Sequence, residues 1–220
     1  MDFAKAFSFV FEDQNWVQKI VIGGLVGLIP FVGWLLVMGY MISVGRNVIR
    51  GNPQPLPDWS DFGQMLVDGL YAFVISLVYL LPIFIVLCVV LLPALALGGA
   101  FGDNGEPGVI GILGICCFTG FAVIYGIAVA WFFMPAALAR YADTGDVMSA
   151  LRLNEVLAIT RANPIVFLMA LLIAWIVSNF IAPLGLIACG VGVLFTSFYA
   201  QCVTGHAYGQ AYVVAKERMR

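Results

Sequence analysis

Charge is what this sequence has least of. Its 220 residues carry 10 Lys and Arg and 12 Asp and Glu, together 10% of the chain, against about 25% in soluble domains. Those few charges cannot cover the water-facing surface of a globule this size. With 63% apolar residues and a mean hydropathy of +1.04, the solvent for most of the chain is lipid. The net charge of −2 and pI near 5.2 argue against nucleic acid, which needs several phosphates neutralised. Histidine occurs once, as His206. Cys88, Cys116, Cys117, Cys189 and Cys202 all lie in apolar stretches and none forms a CxxC pair. Small buried hydrophobes are therefore expected, not a disulfide framework or zinc site. The first fifteen residues lack a basic segment followed by a clean apolar one, so no signal peptide is expected; Asp2 and a C-terminus without Cys disfavour lipidation. Enzyme signatures are missing too: no Ser-His-Asp set, no HExxH, no phosphate-cradling glycine loop ending in Lys-Ser/Thr. No catalytic residue, cofactor or metal is expected.

What the sequence has is a pattern in its ten basic residues. Lys5, Lys19, Arg46, Arg50, Arg140, Arg152, Arg161, Lys216, Arg218 and Arg220 are separated by uncharged runs over 20–45, 69–102, 107–139 and 162–215. Each run exceeds the roughly 20 residues a helix needs to cross a bilayer. All ten cations can be placed on one side, and Lys and Arg of short loops stay cytoplasmic. The pattern predicts an all-α integral membrane protein of 220 residues forming a single transmembrane domain. It has six membrane segments as three helical hairpins, each preceded by a short interfacial helix, in units 3–49, 58–140 and 146–214. Both termini are expected on the cytoplasmic side of a prokaryotic cytoplasmic membrane.

Residues 3–15 read as an amphipathic helix with Phe3, Phe7, Val10 and Phe11 toward lipid. Trp16, Trp34 and Trp59 read as interfacial anchors. Residues 17–49 are broken at Ile29–Trp34, where Pro30 removes a helix hydrogen bond and Gly33 can turn left-handed. A full hairpin, a re-entrant loop and one kinked helix are all open; the hairpin keeps all four flanking cations inside. In 51–68, Pro53, Pro55 and Pro57 make an extended lead-in, and Asp58, with Asp61, reads as the N-cap of a second interfacial helix. A third membrane helix spans 70–97 with kinks at Pro82 and Pro93. The loop 98–108, with Asp103 and Glu106, belongs outside, and residues 109–139 return. A helix starts near Asp146 and stops at Asn163-Pro164. The last two segments, 164–182 and 186–214, meet at a turn over Ala182–Gly185. Gly23-x-x-x-Gly27 and Gly205-x-x-x-Gly209 permit close helix approach.

Several strings carry a resemblance: Trp16-Val-Gln-Lys19, Ile29-Pro30-Phe-Val-Gly33, Gly39-Tyr40, Arg46-Asn47-Val48-Ile49-Arg50-Gly51, Leu56-Pro57-Asp58-Trp59, Asp68-Gly69-Leu70 and Tyr79-Leu80-Leu81-Pro82. Over about 11–82 the chain resembles the prokaryotic membrane-protein family catalogued as domain of unknown function 4013. The resemblance implies a multi-pass membrane protein and transfers no catalytic residues.

Polar groups within apolar helices are the remaining candidates, because they are costly in lipid unless paired. Ser197, Gln201, Thr204 and Tyr208 recur at spacings of four, three and four, a candidate polar stripe; its alternative role is hydrogen bonding between helices. Ser178 and Asn179 are weaker candidates. No ionisable residue falls near the middle of a predicted span, which counts against an ion-coupled pump. The reading favoured is an accessory, scaffold or assembly component of a membrane complex, with the lipid bilayer and a membrane protein or second copy as partners, and no nucleic acid. The alternative is a small transporter or channel for a neutral or lipidic solute. A weaker third is an enzyme acting on lipid, which requires a pocket joining Asp58, Asp61 and His206.

Overall fold

The structure, a computed structural model, describes residues 2–97, 109–129, 133–187 and 190–219. The loop expected over 98–108, and Cys189, lie outside the described residues. Among those described there is no strand. The helices are α1 (Phe3–Ser8), α2 (Trp16–Val26), α3 (Val32–Ile49), α4 (Phe62–Val86), α5 (Leu92–Leu97), α6 (Val109–Ala128), α7 (Met134–Thr144), α8 (Val147–Leu151), α9 (Leu153–Ala162), α10 (Pro164–Ile176), α11 (Ala182–Leu184) and α12 (Gly192–Arg218).

Among the described residues, four helices are long and apolar enough to cross a bilayer: Val32–Ile49, Phe62–Ala94, Gly111–Ala128 and Pro164–Ile187. The other two of the six expected segments fall short of that standard for different reasons. α2 is apolar but has 11 residues, roughly 16 Å of helix against a core of about 30 Å. α12 has 27 residues, but Thr196, Ser197, Gln201, Thr204 and His206 leave it too polar.

The chain divides into two compact units, Met1–Ile75 with Trp131–Arg220, and Ser76–Ala130. In the larger, α12 is the central helix and packs against α2, α3, α7 and α10. That enclosure buries Thr204 and His206, while Ser197 and Gln201 are half-buried. Glycine sets the closest approaches. A Cβ on Gly205 would collide with the Met41 carbonyl, and one on Gly209 would lie 2.8 Å from the Gly45 carbonyl. The α3–α12 backbones thus touch across the Gly205-x-x-x-Gly209 motif, as small residues allow. Gly39 of α3 and Gly69 of α4 do the same: a Cβ on either would strike a carbonyl of the opposite helix, Met65 or Leu35.

In the smaller unit, Tyr79 is buried and its carbonyl accepts a 2.8 Å hydrogen bond from the Tyr125 hydroxyl. Gly114 of α6 faces Ala94 of α5. Most of its apolar side chains are exposed, among them Phe84, Val89, Leu113, Val123 and Ile124. Cys88, Cys116 and Cys117 are exposed as well, and only Cys202 among the described cysteines is buried.

Local structure departs from expectation in instructive ways. The break at Ile29–Trp34 is present, but the residue with positive φ is Phe31 (φ 60°, ψ −60°), not Gly33. The Val32 amide donates to the Pro30 carbonyl at 2.7 Å, closing a strained γ-turn. Gly33 is helical, and its role is proximity: a Cβ there would strike the Val26 carbonyl. No separate interfacial helix occupies 58–68; α4 begins at Phe62 and runs on unbroken. The expected turn at Ala182–Gly185 is helical. A π-turn over Val177–Ile181 ends two residues before Pro183, as another over Leu87–Leu91 ends two residues before Pro93. The wider ring relieves the clash of each proline with the preceding turn. Asp146 does cap a helix, its carboxylate accepting from the Met148 and Ser149 amides at 3.0 and 3.1 Å.

The N-terminal helix buries a different face from the one expected. Ala6, Phe9 and Val10 are buried, while Phe11 is 55% exposed. After Ser8 the helix tightens to a 3-10 turn over Phe9–Glu12. Ala6, Phe9 and Val10 stand at i, i+3 and i+4 and so share one helical face.

Candidate functional site

The Pro-rich connection 53–57 gathers the most polar geometry in the larger unit. Proline cannot donate, so this segment offers carbonyls with few local partners. Three consecutive carbonyls each receive a side-chain donor from another element. Asn47 Nδ2 donates to Pro55 O at 3.0 Å, Lys19 Nζ to Leu56 O at 3.0 Å, and the Tyr40 hydroxyl to Pro57 O at 2.9 Å. Trp59 Nε1 returns a bond to Lys19 O at 3.0 Å. Its indole stacks on Tyr40 at 4.7 Å and lies against Phe62 and Phe198. Trp59 is therefore buried within the protein. Trp34 is 51% exposed, and Trp16 is half-buried against Phe11.

Lys19 anchors this arrangement. Its ammonium contacts Asp13 Oδ2 at 2.8 Å, Asp58 Oδ1 at 2.9 Å and the Leu56 carbonyl, using all three donors of a lysine. Asp58 is thus drawn to Lys19 and does not cap α4, whose first turn starts after Asp61. The Lys19–Asp13–Asp58 cluster has one excess negative charge. It borders a cleft of about 440 Å³ lined by Asn15, Gln18, Lys19, Ile22, Asp58, Trp59 and Phe62.

A second cluster ties α3, α4 and α7 together. Asp68 is fully buried. Arg46 holds it bidentately at 2.8 and 3.0 Å, Tyr141 donates at 2.7 Å and Gln64 at 3.2 Å. Arg46 Nε donates to the Ala142 carbonyl at 3.2 Å. Bidentate guanidinium–carboxylate pairs are strong and directional. This one is electrically neutral and its carboxylate is saturated, so it can lock three helices but has no capacity for a ligand. In the sequence Arg46 falls near the end of the segment 17–49 and Asp68 at the end of the connection 51–68. The structure puts both within spanning helices and joins them. The only local signal was that each borders an uncharged run, Arg46 at the end of 20–45 and Asp68 at the start of 69–102.

Further pairs secure the C-terminal half. Asp143 accepts from Tyr212 at 2.9 Å and Lys216 at 2.6 Å. Glu155 joins Arg152 at 3.1 Å and also Arg140. The hydrogen bond from Arg152, reinforced by the Arg140 charge, holds the Glu155 carboxyl below its ordinary range.

The polar stripe of α12 does not form one surface. Ser197 and Gln201 open onto a pocket between α2, α3 and α12. Thr204 is buried and bonds back to Ala200 O at 2.8 Å. Tyr208 borders a narrow gap beside Gly45, Gly205 and Ala139. His206 is 2% exposed and stacks on Phe9 at 4.2 Å, and it does not line the cleft beside Asp58. Asn179 bonds back to the Trp175 carbonyl at 2.9 Å. Among the described residues no group of three or more His, Cys, Asp or Glu could hold a metal.

These observations define an all-helical protein with four helices suited to crossing a membrane and a polar framework of ion pairs beside them. The chain belongs to the family described as protein of unknown function (DUF4013), which matches residues 22–191. That match reaches well beyond the stretch recognisable in the sequence. Of the strings carrying the resemblance, Tyr40, Asn47, Leu56–Trp59 and Asp68 meet in the two clusters above, with Lys19 joining from just outside the match. No curated protein and no solved structure matches the chain.

Proposed function

We propose that this protein is a non-catalytic accessory, scaffold or assembly component of a complex in a prokaryotic cytoplasmic membrane. In this reading both termini are cytoplasmic, and α2 and α12 enter the bilayer beside the four long helices to make six segments in three hairpins. The observation that carries it is the state of the ionisable groups. Lys19, Arg46, Asp68, Asp143 and Glu155 are engaged in pairs that hold helices together. Among the described residues, these pairs tie the charged groups to the packing of the helices. By contrast, most of the described apolar side chains in Ser76–Ala130 are exposed, as suits a membrane-embedded contact. The transporter reading draws less support, because the four stripe residues open onto different surroundings.

A photo-crosslinking residue at Ile124, which is 74% exposed, tests the proposal in intact membranes. A discrete protein adduct, to another chain or a second copy, supports it. Lipid adducts alone at Ile124 and at Leu113 would remove its basis.

A further inference from the structure

The upper half of the α12 stripe has a feature that packing does not account for. Ser197 and Gln201 are polar, half-buried and, among the described residues, without hydrogen-bond partners. Both face a pocket of about 210 Å³ whose other walls are Gly23, Gly24 and Gly27 of α2, Trp34 and Val37 of α3, and apolar residues of α12. Glycine shapes this space. Cβ atoms at Gly23 and Gly24 would run into Phe198 and Phe195, so α2 sits close there. Gly27 meets only its own helix backbone, the nearer oxygen at 3.3 Å, and leaves the pocket open beside the exposed Trp34.

The inference rests on the membrane placement proposed above, though not on the scaffold role. Lys216 then marks the aqueous end of α12. Gln201 lies about four turns deeper, roughly 22 Å along the axis, within a core about 30 Å thick. An amide left without partners at that depth costs on the order of a few kcal/mol. A polar partner held in the pocket would remove that cost. No charged residue lines the space, so a phosphate headgroup finds no counter-charge. Ser197 supplies a hydroxyl that both donates and accepts; Gln201 supplies two N–H donors and one carbonyl. The complement to that set is a group that also donates and accepts, carried on an apolar body.

We propose that this pocket is a binding site for a neutral, hydroxyl-bearing lipid, whose hydroxyl bonds to Gln201 and Ser197 while its chain lies along Gly23, Gly27 and Trp34. Diacylglycerol is the probe. Wild-type protein in phosphatidylcholine nanodiscs is titrated with diacylglycerol brominated on its acyl chains, and in parallel with equally brominated phosphatidylcholine. The quenching of Trp34 is isolated by subtracting the Trp34→Phe variant. Trp34 should be half-quenched at a mole fraction about tenfold lower for the diacylglycerol, the equivalent of ~1.4 kcal/mol. Gln201→Leu should erase that preference. Gly27→Leu, which fills the pocket without touching its polar floor, should suppress quenching by the diacylglycerol even if Gln201→Leu fails to fold. Equal quenching by both lipids in the wild type would overturn the site, as ordinary annular lipid does the same. A preference that survives in a folded Gln201→Leu protein would also overturn it. A chain that does not enter the discs would overturn the membrane placement and the site with it.

Discussion

Replacing Asp68 with Asn leaves the side chain's shape and removes its charge opposite Arg46. The Asp68 side chain is 1% exposed and that of Arg46 16%, so the guanidinium keeps a charge with little water to solvate it. Arg46 retains the bond from Nε to the Ala142 carbonyl but loses the two charge-assisted bonds to the carboxylate, and Tyr141 loses a charged acceptor. Removing one partner of a buried pair costs about 3–5 kcal/mol. The residual exposure of Arg46 places this case near ~3 kcal/mol. For a chain of this length that corresponds to a melting temperature lower by roughly 6–12 °C, read by far-UV circular dichroism in mild detergent. The double variant Arg46→Met with Asp68→Leu removes both charges, and should recover to within about 1–2 kcal/mol of the wild type, since apolar replacement of a whole pair is often neutral. A loss under ~1 kcal/mol for Asp68→Asn, or a double variant as unstable as the single, would refute the clamp reasoning.

Three further outcomes follow from particular residues. Phe31→Gly should raise the melting temperature by a few degrees, because glycine adopts the positive φ without strain worth about 1–3 kcal/mol; a lower value would mean that the exposed phenyl ring contributes more than the turn costs. Gly205→Val should separate α3 from α12, with loss of folded protein or a drop of at least ~3 kcal/mol by overpacking, whereas the same change at Gly120, which has open space around it, should be nearly silent in the same melts. The carboxyl of Glu155 has a folded pKa held below its ordinary value of 4.5, so its stabilising contribution is complete above that pH and is lost as pH falls through the depressed value. Glu155→Gln should therefore flatten the stability–pH curve below about pH 4.5, and an unchanged curve would deny the pairing with Arg152 and Arg140.

Local signals were legible where the controlling partners are local. Asp146 caps the helix that its spacing indicated, and Asn163-Pro164 marks a real boundary, because both act through neighbouring backbone groups. The break at Ile29–Trp34 was visible from Pro30, but which residue takes positive φ was not, since Gly33 is committed to contact with Val26. Asp58 read as an N-cap for lack of sight of Lys19, which lies far away in sequence. Arg46 and Asp68 carried no periodic mark of their pairing. Pro183 looked like a turn because the preceding π-turn that accommodates it has no sequence signature. The division of the polar stripe has the same origin: helical spacing puts Ser197, Gln201, Thr204 and Tyr208 on one side of α12, but the neighbouring helices cover that side unevenly.

The measurement that bears most directly on the proposed role is the mass of the protein carried from its own membrane into native nanodiscs without detergent. A non-catalytic component of a complex should appear by native mass spectrometry with a second protein or a second copy at fixed stoichiometry, above the 23.8 kDa of the chain itself. A population consisting of the 23.8 kDa chain with lipids alone would contradict the account.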